Sequence, residues 1–269
     1  MLTVSTANVN GLRAAARKGL CEPSGGWLAA TDADVVCLQE TRAEPEQLPD
    51  ALREPPGWHA VHAPGEVKGR AGVAMLSRAE PDAVRVGFGE HEFDDAGRYL
   101  EVDLEGLTVA SLYLPKGEVG TERQAAKQRF MGAFLPYLAE RREKAAAEGR
   151  EMLVCGDFNI AHREADLKNW RSNRSKSGFL PEERDWMGLL FGETGYVDVV
   201  RALHPDVAGP YSWWSYRGRA FDNDAGWRID YHAATPALAA TAVSATVERA
   251  PSYDRRWSDH APVTVRYGR

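Results

Sequence analysis

Six segments of this chain carry an apolar, strand-length run up to a group able to bind a phosphate or a metal, and that repetition limits the possible folds more than any single motif. The clearest is Met152-Leu153-Val154-Cys155-Gly156-Asp157-Phe158-Asn159. It begins as a strand buried on both faces, breaks at a glycine, and presents a carboxylate and a carboxamide two residues apart. Along an extended backbone Asp157 and Asn159 point to the same side, leaving Phe158 to pack on the other. Alone, the stretch reads equally well as a Gly-Asp turn after a buried strand. The others shift that balance. Val35 to Gln39 ends in Glu40, Val4 to Gly11 ends in the amides Asn8 and Asn10, and Leu112 to Gly117 ends in Tyr113 and a turn. Trp227-Arg228-Ile229-Asp230-Tyr231 and Trp257-Ser258-Asp259-His260-Ala261-Pro262 add two acids and a histidine.

Between these segments the pattern predicts many short strands and few helices. Strands are expected at 2–10, 34–39, 58–63, 72–77, 83–87, 99–104, 107–112, 196–200, 212–216, 228–233, 242–248 and 261–266. An alanine-rich helix is expected from Gly11 to Ala30, and Thr121 can cap a long helix to about Ala147, kinked or broken at Pro136, with Arg141–Lys144 on its solvated face. Pro181 opens a further helix. No repeat or linker divides the chain, so one domain over residues 1–269 is expected, with two packed sheets and helices outside rather than a parallel Rossmann sheet.

With 43% hydrophobic and 27% charged residues the chain can fill a core and solvate its surface. No basic-then-apolar leader precedes the first strand, and no apolar stretch approaches the roughly 18 residues of a membrane helix. The three cysteines are odd in number and two lie in apolar runs, so they are expected to be reduced. A cytoplasmic monomer is the expectation. The net charge of −6 argues mildly against a nucleic-acid partner. Locally, however, Lys168, Arg171, Arg174 and Lys176 follow one another with no acid between Leu167 and Leu180, and a polyanion feels the patch it touches rather than the total. A solvated basic loop is the other reading of that segment.

Should the strand ends converge, Glu40, Asp157, Asp230 and Asp259 share one pocket and cannot all remain ionised without a cation. Oxygen ligands suit Mg²⁺ or Mn²⁺, whereas zinc would want more histidine or cysteine. Such a cation beside an acid–histidine pair suits phosphodiester hydrolysis.

The motifs Asn8-Val9-Asn10-Gly11-Leu12-Arg13, Leu38-Gln39-Glu40-Thr41, Tyr113-Leu114-Pro115-Lys116-Gly117, Gly156-Asp157-Phe158-Asn159, Gly178-Phe179-Leu180-Pro181-Glu182-Glu183-Arg184, Trp227-Arg228-Ile229-Asp230 and Ser258-Asp259-His260-Ala261-Pro262 closely resemble those of exodeoxyribonuclease III. That family is the bacterial branch of the exonuclease–endonuclease–phosphatase superfamily, which includes the abasic-site endonucleases. The resemblance runs in order along essentially the whole chain, and its Gly-Phe-Leu-Pro-Glu-Glu-Arg and Trp-Arg-Ile-Asp segments favour the DNA-repair branch. It implies an α/β fold, a four-layered α/β sandwich with two central mixed β-sheets of DNase I-like type. It also implies a Mg²⁺- or Mn²⁺-dependent enzyme acting on double-stranded DNA with abasic sites or 3′ ends. By resemblance the metal lies among Asn8, Glu40, Asp157, Asn159, Asp259 and His260, with Glu40 the principal ligand. Asp157 positions or deprotonates the water, Asn159 donates to the phosphate, Asp230 orients His260, Asp259 acts on the metal or leaving-group side, and Tyr113 contacts the scissile phosphate. Trp213, Trp227 and Ile229 match the sugar pocket. Lys168, Arg171, Asn173, Arg174 and Lys176 match the DNA-contacting loop, with Asn173 near the site. Asn10 stands where animal abasic endonucleases carry an acid, so no second metal contact is expected there. Two other readings remain open at this stage: a lipid phosphoesterase of the same superfamily, and a DNA-binding protein without catalysis, although no acid or histidine of the set is missing.

Overall fold

The computed structural model describes residues 1–21 and 25–269. Twelve strands form two sheets: β1 (Leu2–Asn8), β2 (Val35–Gln39), β3 (His59–Ala63), β4 (Val73–Ser77), β5 (Ala83–Val86), β6 (Tyr99–Leu104), β7 (Leu107–Tyr113), β8 (Glu151–Asp157), β9 (Val197–Asp198), β10 (Asp230–Ala234), β11 (Ala242–Val247) and β12 (Val263–Tyr267). The first sheet has the order β11-β12-β1-β2-β4-β3 and the second β5-β6-β7-β8-β10-β9. Both are mixed, because β1–β2 and β7–β8 are parallel pairs in otherwise antiparallel ladders.

Strand periodicity separates the layers. On β8, Leu153 and Cys155 face the first sheet, where they meet Val4, Val35, Cys37 and Met75. Met152 and Val154 point outward onto Phe130, Phe134 and Leu138 of the long helix Glu122–Ala147. Across the molecule, Val36, Leu38, Ala74 and Leu76 are covered by Leu12, Leu20, Leu28 and Leu52. The result is the expected four-layered sandwich. Each fully buried aliphatic or aromatic side chain contributes about 1.5–3 kcal/mol, so the two sheets are held face to face by many independent contacts.

Several local expectations are corrected. The helix expected over 11–30 breaks up: Leu12–Ala15 is followed by a π-type turn, Ala16–Leu20, in which Gly19 takes φ 110, and a last short turn spans Trp27–Ala30. Residues 22–24 of that expected helix lie outside the described residues. Pro136 neither breaks nor divides the long helix, since buried Phe130, Phe134 and Leu138 anchor it on both sides of the proline. Arg141 is not solvated but buried, 2.8 Å from Glu101 on β6. Thr121 occupies the cap position, yet its hydroxyl donates to the Glu118 carbonyl rather than receiving a helix N–H. The strand expected at 196–200 shortens to β9, because Asp198 caps a helix, Val199–Leu203, by accepting from the Arg201 N–H. Residues 212–216 form no ladder. Trp213 makes only isolated bridges, to Trp227 and His260, and the Trp214 N–H turns away to the Asp259 carbonyl.

In the inter-sheet layer, His232 is an ionisable group whose state in the acid range depends on folding. His232 on β10 is fully buried, with Nε2 3.0 Å from the Val263 carbonyl and Nδ1 3.3 Å from the Tyr267 hydroxyl. Burial pushes its imidazole down from 6.5 to about 4. The unfolded chain therefore binds a proton in the window between these values that the folded chain refuses. This contribution is full above pH 6.5 and lost as pH falls toward 4, amounting to roughly 3 kcal/mol at most. His232→Gln, which keeps a donor for Val263 and cannot ionise, should flatten the fall in urea-unfolding free energy between pH 6.5 and 4.5. An identical slope in both proteins would contradict this.

Candidate active site

The topology explains why the six segments meet. β1 and β2 run toward one edge of the sandwich, as do β7 and β8 in the second sheet; β12 is antiparallel to β1 and β10 to β8. The C-terminal ends of four strands and the N-terminal ends of two thus share that edge. Tyr113, Asp157 and Asp230 sit in direct register across β7, β8 and β10. Their edge opens into a cavity of about 240 Å³ that also receives Glu40, Asn159, Asp259 and His260.

Asp157 stands at the centre. A Cβ at Gly156, the residue before it, would lie 1.9 Å from the Leu112 carbonyl oxygen, so only glycine lets β8 approach β7 this closely. Asp157 Oδ1 accepts the Asn159 N–H at 2.8 Å, closing a turn in which Asn159 takes the left-handed φ of 51 that asparagine tolerates. Its Oδ2 accepts from Asn8 Nδ2 at 2.9 Å and lies 3.8 Å from His260 Nε2. Burial, then the charges of Asp230 and Glu40, push the Asp157 carboxyl up to about 7, although His260 opposes the shift. A carboxyl titrating there can exchange a proton at neutral pH.

Asn8, expected among the metal ligands, is buried between the two sheets. Nδ2 donates to Glu40 Oε1 and Asp157 Oδ2, both at 2.9 Å, and Oδ1 accepts the Asn10 N–H at 3.0 Å. It joins the two sheets' carboxylates as a brace. Glu40 also pairs with Arg42. Burial disfavours its charge, but the Asn8 bond and the Arg42 guanidinium hold its carboxyl below the usual value. Tyr113 is pushed well above the usual phenol range by burial and by Glu40, so it remains a donor.

His260 faces the other side of Asp157. Its Nδ1 lies 2.9 Å from Asp230 Oδ2, which fixes the ring and leaves Nε2 toward the cavity. Burial alone would lower its pKa, but Asp230's charge and hydrogen bond, with Asp157 and Asp259 behind them, raise it to about 10. Asp259 accepts from Asn10 Nδ2 and Trp213 Nε1, each at 2.9 Å. Although burial works against its charge, His260 and the Trp213 bond keep its carboxyl low.

The donors facing the cavity are the hard oxygens of Glu40, Asp157 and Asp259, since His260 is protonated and held by Asp230. Asp157, Asp230 and His260 offer ligand atoms within 4.8 Å of one another, and Asp230 Oδ1 is buried without a hydrogen-bond partner. Crowded carboxylates with an unsatisfied oxygen fit a hard divalent cation.

Trp213, Trp227 and Ile229 form the flat apolar wall of the cavity, with the two indoles edge to face at 6.1 Å, while Trp214 belongs to the core. The wall is rigid because Arg228, between two of its members, is fully buried and paired with Asp166 and Asp198 at 2.7 Å. Lys168, Arg171, Arg174 and Lys176 are exposed around a short helix, Trp170–Asn173, and none lines the cavity. Asn173, expected near the site, donates instead to the Asn169 carbonyl at 2.8 Å. Asn159 lines the cavity, and one of its two Nδ2 hydrogens is donated to the Leu114 carbonyl at 2.9 Å. Sequence reasoning gave no role to Arg42, Lys116 or Ser177, which also line the cavity. Lys116 lies inside the Tyr113–Gly117 motif and Arg42 just past the Leu38–Thr41 motif, and that proximity is the signal that could have drawn attention to them.

One consequence is measurable without substrate. His260 should stay protonated through neutral pH, with its ring titration displaced well above 6.5. Asp230→Asn should bring that titration down toward the ordinary range. Long-range ¹H–¹⁵N NMR of the metal-free protein reads both; a wild-type His260 titrating at or below 6.5 would contradict the assigned pair.

Comparison with known proteins agrees with this geometry. The Endonuclease/Exonuclease/phosphatase family matches residues 5–260. An exodeoxyribonuclease of Bacillus subtilis is 38% identical over 258 residues, covering 96% of each chain. Among solved structures, an AP endonuclease from Archaeoglobus fulgidus superimposes with a TM-score of 0.86 at 28% identity, covering 99% of both chains. The 3′ phosphatase NExo from Neisseria, bound to a product DNA hairpin, gives 0.85 at 29% identity with the same coverage. With its two stacked mixed sheets, its shared edge of acids and a family match spanning nearly the whole chain, this protein belongs to the endonuclease/exonuclease/phosphatase family.

Proposed function

We propose that the chain is a Mg²⁺-dependent DNA-repair phosphodiesterase of exodeoxyribonuclease III type: a 3′-to-5′ exonuclease on double-stranded DNA that also cuts at abasic sites and removes 3′-blocking phosphates. The observation carrying this reading is the Asp230–His260–Asp157 array beside a cavity with an apolar aromatic wall. That array suits attack on a phosphate, and the wall suits a base-free deoxyribose while rejecting a stacked base. Residues 1–269 act as one domain in this reading, since each sheet carries only part of the set.

A hard cation held by Glu40, with Asp157 and Asp259 near, would neutralise charge on the phosphate. The remaining work falls to the chain's own groups. Asp157, facing the cavity with Oδ2 3.8 Å from His260 Nε2, accepts the proton of the attacking water. His260, kept charged by Asp230, presents Nε2 to a phosphate oxygen, and the Tyr113 hydroxyl supplies a second donor. Asn159 holds Asp157 in its turn through the backbone N–H. Asn8 braces Glu40 against Asp157 through Nδ2. The exposed Lys168, Arg171, Arg174 and Lys176 supply sequence-independent contacts to flanking phosphates.

The test is cleavage of a duplex with one abasic site beside an intact 3′-recessed duplex and a phosphoinositide, with and without EDTA. Both duplexes should be cut and the lipid left intact, EDTA should abolish activity, and Mg²⁺ or Mn²⁺ should restore it. Glu40→Gln should lose turnover while retaining the wild-type unfolding midpoint to within a few degrees. Full activity in EDTA, or preference for the lipid, would overturn the reading.

A further inference from the structure

We propose that Lys116 sets the preference of this site for terminal phosphomonoesters over internal phosphodiesters, an assignment that rests on the phosphodiesterase reading above. Three cations line the catalytic cavity: Arg42, His260 and Lys116. Arg42 is paired with Glu40 and His260 with Asp230. Lys127, behind the site, is fully buried, with Nζ 2.8 Å from Glu183 and 2.9 Å from the Asn159 carbonyl. Lys116 alone among the cavity's cations forms no ion pair among the described residues.

Its position is defined by the two walls. Lys116 leaves the turn that follows Tyr113, on the metal-ligand side, and its Nζ reaches to 5.7 Å from the centroid of the Trp213 ring on the apolar side. Trp213 is itself held by Asp259 through Nε1. The ammonium therefore stands at the mouth between the acid cluster and the sugar wall. It also borders a neighbouring cavity of about 690 Å³ that carries Arg98 and Arg123.

The two substrate classes differ in charge at the reacting group. A terminal phosphomonoester carries a second ionisation near pH 6 and is close to dianionic at pH 7, whereas an internal diester carries a single charge. Glu40, Asp157, Asp230 and Asp259 around the site repel a dianion more strongly than a monoanion. An unpaired cation at the mouth works the other way, in proportion to the charge it meets. Without Lys116 the site should shift toward diesters.

Kinetics on two duplexes of the same sequence, one with a 3′-phosphate at a nick and one with an internal abasic site, test this. Lys116→Gln should lower kcat/KM on the 3′-phosphate about tenfold more than on the abasic duplex, and Lys116→Arg should restore most of the difference. In the wild-type protein the ratio of the two rates should fall from pH 7.5 to 5.5, as the monoester loses its second charge, and in Lys116→Gln this fall should be largely gone. Equal losses on both substrates, a larger loss on the abasic duplex, or a pH-independent ratio in the wild-type protein would overturn the assignment while leaving the functional reading intact. A wild-type protein inert on both duplexes would overturn that reading, and this one with it.

Discussion

Four carboxylates at one buried edge are the constraint on which the rest of this molecule depends. Glu40, Asp157, Asp230 and Asp259 arrive from both sheets, and their mutual repulsion would drive protons onto them or push the strands apart. The protein offsets it with placed donors. Asn8 shares its amide between Glu40 and Asp157 across the sheets, Trp213 and Asn10 hold Asp259, and His260 holds Asp230. The offset is incomplete at Asp157, whose carboxyl is still displaced to about 7. That residual imbalance makes the edge both a cation site and a source of a base at neutral pH.

Around this edge lies a shell of buried ion pairs that fixes backbone rather than binding substrate. Lys127 on the long helix donates to the Asn159 carbonyl, and its partner Glu183 accepts the N–H groups of Gly178 and Leu180 beside the cavity. Arg228, Arg201, Asp166 and Asp198 bind β9, the aromatic wall of the cavity and the start of the basic segment into one network. Buried pairs of this kind give little net stability, but removing one partner strands a charge in the interior. Their effect here is to limit the freedom of Asn159, Trp227 and Ile229.

Much of the site was legible in the sequence because its residues follow apolar runs. A buried strand must end at a surface, and a carboxylate there is conspicuous against Val35–Gln39 or Met152–Cys155. Asp157 and Asn159 do meet at one cavity, but β8 ends at Asp157 and it is the left-handed turn at Asn159, not period-two alternation, that brings them there. What could not be read was which groups those side chains would already have bonded. Asn8 spends both of its amide hydrogens on carboxylates of the two sheets, and Asn159 spends one of its two on the Leu114 carbonyl. The same holds for local structure. Residues 212–216 have strand-like side chains, but Trp214 bonds to the distant Asp259 carbonyl, and Arg141 sits in a charged run yet meets Glu101 from β6. In each case the deciding partner is remote in sequence.

The central claim is that Asp157 and His260, 3.8 Å apart, serve a single displacement. The most direct measurement is a double-mutant cycle in single-turnover cleavage of an abasic duplex at saturating enzyme, with Asp157→Asn, His260→Asn and both together. Each single change should slow cleavage by about 10²–10⁴ with little loss of DNA binding. The double variant should lose far less than the product of the two. If the two effects multiply cleanly, the residues act independently, and the shared-site account is contradicted.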